Sequence, residues 1–311
     1  MPTEDNRGGV RQVAVDADRD GQRVDNFLTA QLKGVPRSAL YRMIRTGQVR
    51  INGRRCKAAT RLAEGDRVRI PPARFQQKDK VEVSAHVLDR ISSAIVFENV
   101  DLLIIDKPCG MAVHSGSGLA WGIIDVLRQL RPGEYLELVH RLDRDTSGCL
   151  VVAKSGKALS HLSEQFREGS VGKYYLCLLD GHLSQSLVEV DAPLLKTEGG
   201  ARRQVRVTTE GKQALTRFKK LQTYAAGSFV EAELLTGRSH QIRAHAQHLG
   251  LPLAGDPLYS SRESLKRWRE LGLKRLFLHA HRVRLVIPGG ETLEVSSPLP
   301  GELSSLLDRI E

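Results

Sequence analysis

Two carboxylates and two guanidiniums crowd into nine residues, His140-Arg141-Leu142-Asp143-Arg144-Asp145-Thr146-Ser147-Gly148, and the five that follow, Cys149-Leu150-Val151-Val152-Ala153, are apolar. Such a run reads as a buried strand with a polar knot at its mouth. A carboxylate held beside arginines stays ionised near neutral pH and can attack carbon as a nucleophile. The same spacing also suits a structural salt-bridge loop, and spacing alone leaves both readings open. Asp143 is the candidate nucleophile. Asp145 is expected to be structural, pairing with Thr146, Ser147 or backbone amides, and His140 to orient the loop by hydrogen bonding. As a hydrolytic pair the two acids are awkward, because residues two apart on one segment would have to converge on a sugar from opposite sides.

Three further motifs carry polar chemistry. Asp106-Lys107-Pro108-Cys109-Gly110-Met111-Ala112-Val113-His114-Ser115-Gly116-Ser117-Gly118 is a strand running into a Gly/Ser-rich loop. Gly172-Lys173-Tyr174-Tyr175 places a tyrosine at a strand's entrance, and Thr236-Gly237-Arg238-Ser239-His240-Gln241-Ile242-Arg243-Ala244-His245 reads as a tight turn opening a helix. The loop at Gly116-Ser117-Gly118 lacks the spacing of a dinucleotide fingerprint and is not a nucleophile elbow, so it is expected to form a lip of the cleft. Of His240, His245 and His248 only the last two share a helix face, and no acid or cysteine lies near them, so no metal site is expected.

The elements that must position these groups fall into two units. Residues 1–20 are polar and expected to be a flexible N-terminus. Residues 21–72 form a small basic unit with twelve Lys/Arg against three acids, out of a net charge of +11 for the 311-residue chain. In it Arg23–Leu32 has helical spacing, and Pro36 opens a second helix that stops at Gly47. That helix turns Ala39, Leu40, Met43 and Ile44 to one side and Arg37, Ser38, Tyr41, Arg42 and Arg45 to the other. Gln48–Gly53, including Arg50, is a short strand entering an Asn-Gly turn, and Asp66–Ile70 a second strand. Residues 73–90 read as a linker. From 91 to 311, strands at 94–97, 102–106, 149–153, 174–179, 205–209, 229–235, 283–287 and 292–295 alternate irregularly with helices at 123–131, 157–168, 240–249 and 261–271. The absence of a strict strand-helix repeat predicts an α+β fold with a mostly antiparallel mixed sheet.

A positive excess concentrated in one small unit points to a polyanion, with nucleic acid the default. The four cysteines form no C-x-x-C pair, and two lie in apolar runs. With no charged-then-apolar leader and no long apolar span, a cytoplasmic protein without membrane partners is expected. Nothing in the residues fixes an oligomeric state, and a monomer is assumed.

The basic unit resembles an S4 RNA-binding domain. The patterns H-R-L-D-x-D-T-S-G, K-x-Y and T-G-R-x-H-Q-I-R-x-H, in that order behind it, resemble the RluA-type pseudouridine synthases, as do the V-H-x-G-S-G-L loop and the turn Gly255-Asp256-Pro257-Leu258-Tyr259. The likeness runs from about residue 21 to the last strand. It implies isomerisation of specific uridines to pseudouridine in large-subunit ribosomal RNA, with no cofactor. By that likeness Asp143 is the nucleophile, Arg141 fills the space left by a flipped-out uridine, Tyr175 stacks on the target base, and Arg243 pairs with Asp143. Arg37, Arg42, Arg45 and Arg50 would touch RNA phosphates. Moving a sugar from N1 to C5 of uracil requires an unstacked base, which suits an aromatic platform. Two alternatives remain: a synthase acting on another RNA such as transfer RNA, and a catalytically inactive RNA-binding protein of ribosome assembly.

Overall fold

Residues 11–14, whose polarity suggested part of a flexible N-terminus, form a strand. The computed structural model describes residues 9–32, 35, 37–72, 83–115, 120–197 and 204–311, with side chains at all of these except Arg37. Strand β1 (Arg11–Ala14) precedes a 3-10 turn at Ala17–Arg19, and the helices α1 (Val24–Gln31) and α2 (Arg37–Arg45) follow. Strands β2 (Arg50–Ile51), β3 (Arg54–Arg55) and β4 (Arg67–Ile70) complete a four-stranded antiparallel sheet in the order β1-β4-β2-β3. Val13 packs on the small core and Val15 is buried in it, beside Val24, Phe27, Leu28, Leu40 and Val68. One inward valine and four ladder partners suffice to order a segment that sequence polarity marks as loose. The Pro36 helix start lies outside the described residues.

The expected linker is likewise shorter than 73–90. Residues 73–82 lie outside the described residues, but Val83 is buried and helix α3 (Ala85–Ser92) packs Ile91 into the core of the large unit. Its three apolar positions facing that core, Val87, Leu88 and Ile91, are masked in the sequence by His86, Asp89 and Arg90.

In the large unit, β5 (Ile95–Glu98) and β6 (Leu102–Lys107) form a hairpin; α4 (Ile123–Leu130), β7 (Glu137–Leu138) and β8 (Ser147–Ala153) come next. Helix α5 (Gly156–Glu168) leads to β9 (Gly172–Leu179), β10 (Leu187–Asp191), β11 (Leu194–Lys196) and β12 (Val205–Val207). A long hairpin of β13 (Leu215–Tyr224) and β14 (Gly227–Leu234) precedes α6 (Gln241–His248) and α7 (Arg262–Glu270). The chain ends with β15 (Leu278–Val286), β16 (Thr292–Ser296) and α8 (Gly301–Arg309).

The main sheet runs β10-β13-β14-β9-β15-β8-β6-β5, with β16 beside β15 and β7 beside β8. Its described pairings are antiparallel except one: β15 and β8 run parallel, His279 opposite Ser147 and Ala280 opposite Gly148. The mostly antiparallel mixed sheet is therefore as expected. That single parallel contact brings the Asp143 segment next to β15, one strand from β9 and its Tyr175. Two cores adjoin on one face of the sheet at this point, one around Leu103, Ile105 and Leu150, the other around Cys177, Phe218 and Val230. Gly156, at the start of α5, lies where a Cβ would meet the Asp18 carbonyl oxygen at 2.1 Å, so the small unit seats directly on the large one.

Candidate active site

Every residue of β8 is buried, which fixes the strand and leaves the loop before it at the surface. Gly148 holds φ of +108°, and a Cβ there would meet the Ala280 carbonyl oxygen at 2.3 Å. Only glycine allows the backbones of β8 and β15 to pass this closely. The Thr146 amide donates to the Asp143 carbonyl (3.1 Å), closing a turn over residues 143–146.

Two side chains brace this segment, Lys107 from beneath the turn and the partly buried His140 from its start. The Lys107 ammonium is fully buried and donates to the carbonyls of Met111 (2.8 Å), Pro108 (2.9 Å) and Arg144 (3.1 Å). Burial lowers its pKa to about 8, against the pull of Cys109, Asp145 and Asp143. His140 accepts from the Val151 amide through Nε2 (3.0 Å) and stacks on Phe166 with 4.4 Å between centroids. Burial, helped by the charge of Lys173, lowers its pKa to about 3. It is thus a neutral acceptor that orients the loop, the role expected of it. Ser147 Oγ lies 3.0 Å from His279 Nδ1 and accepts from Arg275 (2.8 Å), anchoring the strand's first residue.

Asp145 differs from expectation. Its carboxylate pairs with Arg144 Nε (3.2 Å), and its carbonyl accepts from the Cys109 thiol (3.2 Å). The neighbouring hydroxyls are turned inward, Ser147 to His279, so the exposed guanidinium is the partner within reach.

The Asp143 carboxylate is 40% exposed and has His240 Nε2 at 3.8 Å. His240 adopts a left-handed φ of +52° at the N-cap of α6, a conformation that costs about 1 kcal/mol or more for a residue with a Cβ. Its Nδ1 lies 3.2 Å from the Tyr259 hydroxyl, which is pinned to both the amide (2.9 Å) and the carbonyl (3.1 Å) of Val205. Burial first and Arg243 second lower the His240 pKa, while Asp143 and Asp256 oppose them.

Tyr175 packs its half-buried ring between the two cores. Burial, and after it the Asp143 carboxylate, push its phenol well above the ordinary range, so the ring is neutral and stays protonated. An uncharged aromatic face at the edge of a carboxylate site is suited to stack on a base.

Arg243 is where the expected pairing fails. Its guanidinium forks onto Asp256, Nε to Oδ2 at 2.7 Å and Nη2 to Oδ1 at 2.6 Å, and lies 5.1 Å from the Tyr259 ring centre. Asp256 is fully buried and also accepts from the amides of Leu258 (2.9 Å) and Tyr259 (3.3 Å). A buried carboxylate needs a cation far more than one that is half in water, so Asp256 takes the guanidinium. Burial works against the charge on Arg243, but the hydrogen bonds and charge of Asp256, with Asp143 adding, hold its pKa above the ordinary value. Arg243 thus feels the charge of Asp143 through space and forms its ion pair with Asp256.

Arg141 is exposed at the rim, and its charge, after burial, lowers the pKa of His114. The Gly116-Ser117-Gly118 lip lies outside the described residues. His245 spends both ring nitrogens on Thr216 Oγ1 and the Ala192 carbonyl, each at 2.9 Å, which leaves neither for a metal. In the small unit, α2 buries Leu40, Met43 and Ile44 and exposes Tyr41, Arg42 and Arg45. Tyr41 donates to Asp25 (2.9 Å), itself gripped by Arg23. Arg50 is exposed, reaching the carbonyls of Gly47 and Gly53, and the Arg37 side chain lies outside the described residues. Asp143, Tyr175 and Arg243 are therefore gathered around one cleft, while Arg42, Arg45 and Arg50 line the separate basic unit. Lys107, His240, Asp256 and Tyr259 complete the cleft. All four fall within the sequence motifs, but their residue types mark them there only as loop, turn and failed metal ligand.

A partly exposed aspartate thus stands beside a neutral tyrosine, behind a basic accessory unit. Residues 101–248 match the RNA pseudouridylate synthase family and residues 22–68 the S4 domain; the chain belongs to the RNA pseudouridylate synthases. It is similar along nearly its whole length to the "Ribosomal large subunit pseudouridine synthase C" of Yersinia pestis, with 47% identity over 304 residues, covering 96% of this chain and 95% of that one. The protein of that name from Escherichia coli (strain K12) is 46% identical over 309 residues, 97% of each chain. Among solved structures, "Human RNA Pseudouridylate Synthase Domain Containing 1" superposes with a TM-score of 0.59 at 30% identity, covering 73% of this chain and 90% of that one. No helix among the described residues is long and apolar enough to cross a membrane.

Proposed function

We propose that this protein isomerises uridine to pseudouridine in large-subunit ribosomal RNA, with Asp143 as the nucleophile. The observation that carries the reading is the carboxylate itself, open to the cleft yet bordered by Tyr175, His240 and the Arg243–Asp256 pair. A carboxylate oxygen adds to C1′ of the flipped nucleotide as the C1′–N1 bond breaks, or to C6 across the C5–C6 double bond of the ring, with the C1′–N1 bond breaking afterwards. The base turns, a C1′–C5 bond forms, Asp143 is released, and the proton lost from C5 is balanced by one gained at N1. Tyr175 stacks on the base, Arg141 occupies the vacated position in the RNA, and the exposed arginines of the small unit hold phosphates. The choice of ribosomal RNA over transfer RNA is supported by the printed names of the near full-length relatives and by the S4 unit. Such an enzyme works in the cytoplasm, where ribosomes are assembled.

The test is tritium release from ribosomal RNA carrying 5-tritiated uridine. Wild type should release label and Asp143→Asn should not. Equal release by the two would end the assignment of Asp143, and release from transfer RNA alone would move the substrate.

A further inference from the structure

A second concavity, of about 320 Å³, opens beside the catalytic loop. Cys109 and Asp145 of the loop region form one wall, Gly255 another, and Arg269 of α7 with Lys274 and Arg275 the third. Three cations thus face one acid, and that acid is already paired with Arg144. Arg275 is fixed in place, donating to Ser147 Oγ at 2.8 Å and to Glu302 Oε1 at 2.9 Å. Arg269 and Lys274 are exposed and have no ion-pair partner among the described residues. Apart from Asp145, no acid among the described residues lines the hollow they border.

The hollow is not remote from the chemistry. Asp145 lies two residues after Asp143, which bounds their Cα separation at about 7 Å. Gly255 immediately precedes Asp256, the partner of Arg243, and packs so closely on the far wall that a Cβ there would meet the Arg275 carbonyl oxygen at 2.2 Å. The cavity and the cleft therefore share both the catalytic loop and the turn after α6. Its size is at the lower end of ligand pockets, enough for a phosphate with its sugar and too small for a folded element.

We propose that this cavity binds a backbone phosphate of the nucleotide adjacent to the target uridine, with Arg269 and Lys274 as its principal contacts and Arg275 as the fixed floor. The inference rests on the reading of the chain as an RNA-modifying enzyme. A phosphate held here would set the register of the strand entering the cleft without reading its sequence, since phosphate contacts position while base contacts specify. Because Arg275 is bonded to Ser147, the first residue of β8, a bound phosphate would be tied mechanically to the strand that follows the Asp143 turn.

The experiment uses the full chain and synthetic RNA fragments in which the phosphate 5′ or 3′ to the target uridine is replaced by an uncharged methylphosphonate. For wild type, one of the two replacements should raise KM about tenfold, the size of one charge-assisted contact. The doubly substituted Arg269→Gln/Lys274→Gln protein should show a similar rise on unmodified RNA, change kcat less than about twofold, and lose nothing further on the neutral linkage. Both side chains are exposed, so its melting temperature serves as the check on folding, with Lys274→Arg expected to restore KM in part. The proposal is overturned if the double variant keeps the KM of wild type, or if it remains as sensitive to the neutral linkage as wild type is. Equilibrium binding of the same fragments gives the comparison without turnover. Absence of pseudouridine from the wild-type reaction would therefore sink the functional reading alone, and unchanged affinities would sink the cavity alone.

Discussion

Replacing Asp256 by asparagine tests the central electrostatic claim, that the buried guanidinium of Arg243 belongs to Asp256. The pair is all but sealed from water, with side-chain exposures of 5% for Arg243 and 0% for Asp256. Removing one member strands the other charge, which costs about 3–5 kcal/mol. The upper part of that range is expected, since Asp256 also accepts from the Leu258 and Tyr259 amides. For a domain of this size each kcal/mol lowers the melting temperature by about 2–4 °C, so Asp256→Asn should melt about 8–20 °C below wild type. The double variant Arg243→Met/Asp256→Leu removes both charges and should melt above either single change, because nothing charged is left stranded. Calorimetry and urea unfolding followed by circular dichroism measure these differences. A loss below about 1 kcal/mol in Asp256→Asn, or strictly additive losses in the double variant, would refute the pairing.

Two further outcomes follow from other parts of the molecule. His140 has its pKa lowered from 6.5 to about 3 by burial, so above pH 6.5 neither folded nor unfolded chain protonates it, whereas between 6.5 and about 3 only the unfolded chain does. Stability must then fall as pH drops through that window, by up to about 5 kcal/mol at about 1.4 kcal/mol per pH unit; a His140 ring that titrates near 6.5 by NMR would disprove it. Arg42→Gln/Arg45→Gln should flatten the slope of log affinity against log salt by about 1.4, the effect of two phosphate contacts on single-stranded RNA, and an unchanged slope would make α2 a merely solvated face.

What the amino-acid order revealed depends on how each segment meets its surroundings. Strand β8 and helix α2 were legible because one is apolar throughout and the other is cleanly split into two faces. Strand β13 was missed, although it is ten residues long, because Lys219, Leu221, Gln222 and Thr223 face water and break the apolar signature. Helix α8 was missed because three buried leucines among serines and acids give a weak pattern. At the site, residue type and motif order picked out Asp143, Tyr175 and Arg243, but not which of two acids the arginine takes. That choice is decided by burial, and burial belongs to the assembled molecule. His240 escaped for a similar reason: its left-handed backbone, set by the turn before α6, is what brings the ring toward Asp143.

The parallel pairing of β8 with β15 has a consequence for synthesis. Ser147 and His279 meet across 132 residues of chain, and the loop bearing Asp143 has no neighbour on that side until the later strand arrives. A chain ending before residue 278 would lack the β15 edge on which Ser147 and Gly148 rest, even with every motif from Asp106 to Arg243 already translated. The expected result is that a fragment truncated ahead of β15 releases no tritium from uridine-labelled RNA.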